Sequence, residues 1–406
     1  MKPQDLPEPI RGNESGSWAE TTVKERLPGI LDRIREENSF PDRINRNLEL
    51  LRAEIPHENI RPVEEVHAPD FSSWEEYTAP YLEMNWLQVP WFFSETYFYR
   101  RIMQAVAYFS GGGDPFQRQK RLGYQKSRPQ IISFVERLDR WVEKGETNES
   151  VLRQLLYLVL WGNQADLSLW PAGGENSPDH QNLATAAEHL LADDSSRIIQ
   201  LLQGLEPQTA RLDIILDNAG FELITDLGLA DMALSNRLAG EIILHVKAHP
   251  TFVSDVIEDD LTDTLFNLKG DKHPRIREFG SRLQNHLAAR RLVIRGDFFW
   301  NSPLALWEMP ERLLEAFAGT SLVFTKGDAN YRRITGDRHW PFSTPFGEVL
   351  DYLPVPLAAL RTLKAELAVG LREKEITRAR QQDPEWMIDG RWGVVQYTPG
   401  NRERVQ

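Results

Sequence analysis

Leu212-Asp-Ile-Ile-Leu-Asp217-Asn218-Ala-Gly220-Phe-Glu222 decides the fold. An apolar run ends in adjacent Asp and Asn, and a glycine lets the chain turn into a helical stretch. This pattern marks a buried strand feeding a helix. It recurs downstream. Strands are predicted at Glu241–Val246, Leu292–Arg295, Leu322–Thr325 and Val394–Tyr397, with helical runs at Glu222–Asn236, Val256–Asn267, Arg275–Arg290 and Pro310–Ala318. Such alternation implies an α/β fold with a largely parallel sheet covered on both faces.

Working outward, the character of the chain changes near Glu206-Pro207. This divides the 406 residues into an N-terminal helical region, 1–205, and an α/β metal-binding catalytic domain, 206–406. In the first part apolar residues recur at three- and four-residue spacing over Val23–Glu36, Pro41–Ile55, Ser94–Ala107, Pro129–Glu143 and Glu149–Trp161. Further helices are expected at Gln181–Ala192 and Ser196–Leu205. The first twenty or so residues are polar and read as an extended arm.

Composition narrows the function. With 41% hydrophobic residues, 12 Trp and 18 Phe, the chain has enough apolar material for a packed core. A net charge of −13 argues against a nucleic-acid partner, although a local basic pocket for an anion remains open. The absence of cysteine removes disulfides, thiolate metal sites and cysteine nucleophiles, and fits a cytoplasmic location. The N-terminal stretch has no apolar core, and no run approaches the ~20 apolar residues of a membrane helix. Neither a membrane nor an obligate protein partner is expected.

In open α/β sheets ligands bind beyond the carboxyl ends of the strands, so polar residues directly after each apolar run are the candidates. Asp217 and Asn218 are hard oxygen ligands at a strand end, suited to Mg²⁺, Mn²⁺ or a similar cation. An Asp/Asn helix cap is the plainer reading. Glu222 is either a general base beside them or an acidic first-turn residue favoured by the helix dipole. Asp255, opening the next helix after Glu241–Val246, can meet Asp217 across neighbouring strand ends. His245 and His249 share an i, i+4 spacing, but Pro250 follows at once, and ordinary strand and loop histidines are the better reading.

After the run Leu322–Thr325 comes Lys326-Gly327-Asp328-Ala329-Asn330-Tyr331-Arg332-Arg333. It joins cations to a helix start, a combination that holds phosphate, yet it lacks the spacing of a P-loop. Further on, Arg361 and Lys364 sit three apart in an apolar run, where a buried charge needs a partner or an anionic ligand. Asn163, in Gly162-Asn-Gln-Ala-Asp166, follows a fully apolar helix, so these polar tips either line the cleft or form a helix C-cap. The stripe Trp91-Phe-Phe-Ser-Glu95-Thr-Tyr-Phe-Tyr-Arg100-Arg101 reads as core with paired charges, and Asp297 and Asn301 lie just after a strand.

Taken in order, Gly162–Ser168, Asp217–Glu222, Phe252–Asp255, Lys326–Arg332 and Arg361-Thr-Leu-Lys364 resemble the damage-control phosphatases, formerly domain of unknown function 89. The Arg-Thr-x-Lys element and the stripe Trp91–Arg101 resemble its acidic-residue methyltransferase-like branch. The resemblance covers roughly residues 75–398; Ala329 replaces a larger apolar residue usual in the motif. It implies a helical N-terminal part packed on a doubly wound, three-layer α/β/α domain. It also implies one divalent cation (Mg, Mn, Co or Ni) on Asp217, Asn218 and Asp255, and substrate contacts from Asp328 to Arg332 and from Lys364. The activity implied is hydrolysis of phosphorylated metabolites, sugar phosphates such as fructose 1-phosphate or fructose 6-phosphate. The residues accommodate that chemistry, with Lys326, Arg332 and Lys364 forming an electropositive pocket. The nucleophile is either a metal-polarised water or a carboxylate, Asp255 being the better placed. An S-adenosylmethionine-dependent carboxylate O-methyltransferase is the alternative, against which stands the lack of a Gly-rich turn after the first strand. A non-catalytic sugar-phosphate-binding protein is the third reading.

Overall fold

The computed structural model describes residues 6–162 and 186–401. Seven strands form one sheet: β1 (Leu190–Asp193), β2 (Arg211–Ile215), β3 (Glu241–Lys247), β4 (Leu292–Asp297), β5 (Leu322–Lys326), β6 (Leu357–Thr362) and β7 (Gly393–Thr398). They are ordered β1-β7-β6-β5-β2-β3-β4. Every neighbouring pair is parallel except β6 and β7.

That order explains where a site can form. From β2 the chain winds through β3 to β4, then returns to the other side of β2 for β5 and β6. The helices after two neighbouring strands leave in opposite directions there, opening a crevice at the strand ends. Phe221–Ser235 and the pair Glu258–Lys269 and Pro274–Ala288 contribute to the core on one face of the sheet. Segments 299–317, 331–334 and 346–379 contribute to the core on the other.

Strands with both faces covered carry continuous apolar runs, which is why β2 and β3 were legible as strands. Leu212 and Ile214 enter one core and Ile215 the other. Two strands were missed. β6, in Leu357–Thr362, lay in a run noted only for its Arg and Lys. β1 overlaps the last three residues of the helix expected at Gln181–Ala192; residues 186–188 are helical and 181–185 lie outside the described residues, but Leu190 and Leu191 are buried in a strand that holds through parallel pairing with β7. Such pairing across two hundred residues leaves no local trace.

The helices Arg128–Glu143 and Glu149–Trp161 share the core of the sheet's first face, whereas Ile10 to Phe116 build a separate apolar cluster with Ala365 and Leu367. The N-terminal arm is docked: Ile10 N–H donates to Asp337 O at 3.0 Å and Trp91 N–H to Ile10 O at 2.8 Å. This helical cap brings Trp91–Ala105 over the crevice. Among the described residues no helix is long and apolar enough to cross a membrane.

Ile214 lies fully buried in β2. Ile214→Ala is expected to cost about 2–5 kcal/mol of stability, read as a lower denaturation midpoint with an unchanged slope.

Candidate active site

Two loops meet at the crevice because their backbones bond to each other. After β2, Ala219 N–H donates to Ser254 O at 2.7 Å, and Val256 N–H donates to Asp217 O at 2.8 Å. Asn218 and Asp255 thus form a two-residue antiparallel bridge outside the sheet. Asp217, Asn218 and Asp255, picked from separate stretches of sequence, therefore stand side by side. Gly220, with φ +83°, makes the turn into Phe221–Ser235 that an L side chain would disfavour. That turn sets Glu222, in the first turn of the helix, beside Asn218.

The second loop is strained. Phe252 and Val253 both have positive φ, 45° and 68°. Non-glycine residues there cost of order 1–3 kcal/mol each and persist only where the surroundings dictate them. Here the phenyl ring of Phe252 packs on Phe92 and Tyr99, with centroids 6.1 and 5.0 Å away. Asn301 braces the loop's entry, accepting from Ala248 N–H at 2.8 Å and donating to His249 O at 2.9 Å. Asn301 is thus a strut, and Asp297 pairs with Arg312. The histidines hold no common ligand position: His245 lies 2.7 Å from Asp213, and His249 is buried edge-on to Phe109, where burial lowers its pKa to about 4.

Charge is unevenly matched in this cluster. Asp255 pairs with Lys247 at 3.0 Å. Lys326 Nζ lies 2.9 Å from Glu222 and 3.1 Å from Asp226. Among the described residues Asp217 has no ammonium or guanidinium partner, and its Oδ2 accepts from the Asn218 amide at 2.6 Å. Burial pushes the Asp217 carboxyl well above the usual carboxylate range, and the charges of Asp255 and Glu222 add to the effect. Burial likewise raises Asp255, against the lowering charge of Lys247. Asp226 rises to about 7 through burial, despite Lys326. Two close carboxylates short of a counter-charge fit a divalent cation, whose charge would relieve both. Among the described residues no three His, Asp or Glu side chains form such a group by themselves. The Asn218 amide stands beside them as a further oxygen donor, its Oδ1 now accepting from Ser254 Oγ at 2.5 Å while Nδ2 faces Asp217 and Glu222. Ligation by Asn218 therefore requires its amide to turn, which a cation drawing Oδ1 towards Asp217 would favour.

Asp217, Asn218 and Asp255 line a cavity of about 130 Å³ together with Arg26, Arg332 and Lys364. Arg332 is clamped by Asp337, with Nε to Oδ1 at 2.7 Å, and by Glu95, and its guanidinium lies 3.7 Å from the Trp91 ring centroid. Asp328 accepts from Arg361 Nε at 2.8 Å and from Lys364 N–H at 3.0 Å. Burial would raise Asp328, but the charges of Arg361 and then Arg332 hold it below the usual carboxylate range. Among the described residues neither Arg26 nor Lys364 makes an ion pair, so both cations are available to an anion.

The other expected residues fall elsewhere. Lys326 is fully buried between Glu222 and Asp226 and does not line the cavity. The sequence could not reveal that its charge was already matched from the facing helix. Asn330 donates to Leu216 O at 3.1 Å and Lys326 O at 2.8 Å, tying β5 to β2. Tyr331 bonds Gln396 at 2.8 Å in the opposite core, and Arg361 lies 4.4 Å from its ring, so both reach the site only through Asp328. Asn163 lies outside the described residues. Sequence reading passed over Arg26, Trp91, Glu95, Phe252 and Ser254 as site residues. Trp91 and Glu95 sat in an aromatic stripe with every appearance of core. Arg26 closes a π-helical turn, Thr22–Arg26, which gives no pattern distinct from an amphipathic helix.

The chain's residues 22–379 match the family model described as the damage-control phosphatase ARMT1-like domain. It is 32% identical to the damage-control phosphatase ARMT1 of Homo sapiens, over 97% of this chain and 98% of that one. It is 33% identical to the protein of the same name from Danio rerio, over 98% of each. Among solved structures, a DUF89 family protein from Pyrococcus horikoshii matches with a TM-score of 0.48 and 14% identity, covering 91% of this chain and 95% of that one.

Gly327, with φ +81°, brings the start of its helix against the Asp217 carboxylate, into which a Cβ would project. Gly327→Ala is expected to displace Asp217 and lower phosphate release from phosphomonoesters at least about tenfold while circular dichroism stays unchanged. Wild-type turnover would show that Asp217 need not be held there.

Proposed function

We propose a reaction for this chain from one premise: it belongs to the damage-control phosphatase ARMT1-like family, and it is a phosphatase. We infer that it is metal-dependent and hydrolyses phosphomonoesters of small metabolites, sugar phosphates such as fructose 1-phosphate or fructose 6-phosphate among them. The observation that carries this reading is one cavity with two poles. Asp217, without a counter-charge among the described residues, and Asp255 share about 130 Å³ with the unpaired cations Lys364 and Arg26. A phosphoryl group bound by cations on one side and by a carboxylate-held cation on the other would complete the charge balance of both poles.

Asp217, Asn218 and Asp255 would hold one divalent cation (Mg, Mn, Co or Ni), with Glu222 steering the Asn218 amide at 2.9 Å. When bound, that ion would polarise a phosphoryl oxygen and offset charge in the transition state. Lys364 and Arg26 would bind the remaining phosphoryl oxygens. Arg332, its charge matched by Asp337 and Glu95, is a fixed part of the wall, and Asp328 positions Lys364 through its backbone N–H. Phe252 and Trp91 wall the cavity and limit water. In the reaction the oxygen of water bonds to phosphorus, the ester P–O bond breaks, and the leaving sugar oxygen takes a proton. Clamping of Asp255 by Lys247 at 3.0 Å reduces its nucleophilicity, which favours direct attack by water over an aspartyl-phosphate. The cysteine-free composition supports a cytoplasmic setting.

Asp217→Asn and Asp255→Asn are each expected to lower metal-dependent release of phosphate from fructose 1-phosphate at least about a hundredfold, with chelator abolishing wild-type turnover. Full activity in either variant would overturn the assignment. Lys364→Ala should raise KM about tenfold, equivalent to ~1.4 kcal/mol of binding, measured by initial rates over a substrate series.

A further inference from the structure

A second cavity, of about 370 Å³, lies between the docked N-terminal arm and the helical cap, and none of its lining residues lines the catalytic cavity. It has the size of a small-ligand pocket, typically ~300–1,000 Å³. Nothing in the phosphatase reaction uses it.

Its interior is built of arginine and aromatic rings. Arg333 is only 2% exposed. Its terminal nitrogens donate to Leu304 O, to Ser302 Oγ at 3.4 Å, to Trp300 O at 3.0 Å and to Ser302 O at 2.9 Å, leaving Nε with no partner among the described residues. Arg338 donates to Pro7 O at 2.5 Å, and its buried Nε is also unpartnered. Arg11 joins them from the arm. Among the described residues none of the three makes an ion pair. Burial accordingly lowers Arg333 to about 9 and depresses Arg338. Of the three carboxylates in the lining, Asp337 is committed to Arg332, while Glu76 and Glu308 are exposed at the rim. The floor is therefore cationic even though the protein is acidic. Around it stand Tyr77, Phe92 and Trp307, with Phe92 centred 5.0 Å from the Arg333 guanidinium.

An unpaired guanidinium is costly to bury, and the usual offset is a carboxylate. Here, among the described residues, no carboxylate forms an ion pair with Arg333: Asp255, whose charge acts on it, is paired with Lys247. We propose that this cavity is a second ligand site that takes a small organic anion, its carboxylate or phosphate head on Arg333, Arg338 and Arg11 and its flat apolar body against Tyr77, Phe92 and Trp307. A carboxylate or phosphate head accepts charge-assisted hydrogen bonds from the open guanidinium N–H groups, and a flat apolar body stacks on the aromatic walls.

The test titrates the full-length, metal-stripped protein with benzoate, phenylphosphonate and inorganic phosphate by calorimetry. At least one aromatic anion is expected to bind at a single site with a Kd of about 1 mM or tighter, and inorganic phosphate at least tenfold more weakly. The two aromatic probes tell a carboxylate head from a phosphate-like one. Arg338→Gln should weaken binding tenfold or more while metal-dependent phosphate release stays at the wild-type level. Lys364→Ala should leave binding unchanged, which separates this site from the catalytic cavity. If Arg338→Gln fails to fold, Arg11→Gln carries the same expectation. Failure of both aromatic anions to bind would overturn the proposal, as would binding lost with Lys364→Ala but retained in the arginine variant.

Discussion

Everything at this site depends on two backbone hydrogen bonds between the loops that follow β2 and β3, Ala219 to Ser254 and Val256 to Asp217. Without them Asp217 and Asp255 would repel each other apart. Like charges oppose this pairing, and a backbone hydrogen bond returns only ~0.5–1.5 kcal/mol on balance. The pair therefore stays together only because the loops are also held elsewhere. Phe252 is locked in left-handed backbone by its stacking on Phe92 and Tyr99, and Asn301 fixes the loop's entry. Strain in the second loop and repulsion in the carboxylates are consequences of the same bridge, and the helical cap supplies the packing that sustains both.

The cap also explains why an acidic protein can hold an anion. Its contribution is local: Arg26 from the π-helical turn, and Trp91 and Glu95 from the helix that crosses the crevice. Glu95 and Asp337 bracket Arg332 on one edge while Trp91 covers its face, so that guanidinium is fixed and mostly neutralised. Lys364 and Arg26 are the cations left uncompensated. Net charge governs the long-range field, but which side chains have been paired governs the cavity.

Much of this was legible in the sequence. The five strands read from continuous apolar runs all lie in the sheet, because burial on both faces writes itself into local composition. Asp217, Asn218 and Asp255 were legible because the strand-end rule names positions, and the structure brings those positions together. β1 was not legible, since its identity rests on a partner two hundred residues away. Trp91 and Glu95 were not, since a helix that lines a cavity with one turn and a core with the rest shows the same aromatic density throughout. Asn163 lies beyond what the described residues address.

The harder limit concerns charge. Lys326, Arg361, Arg332 and Lys364 look equivalent in the sequence, each a cation beside an apolar run. In the fold they divide sharply. Lys326 is spent on Glu222 and Asp226, and Arg361 on Asp328 and two backbone carbonyls. Only Lys364, whose backbone rather than ammonium meets Asp328, keeps its charge for another molecule. Helix spacing explains the first case. Glu222 and Asp226 are four apart, so one helix face presents both to the end of β5. A cation's role is thus set by the acids that the topology brings opposite it. The same reasoning singles out Arg333, equally buried, for which the fold brings backbone carbonyls and aromatic rings but no acid of its own.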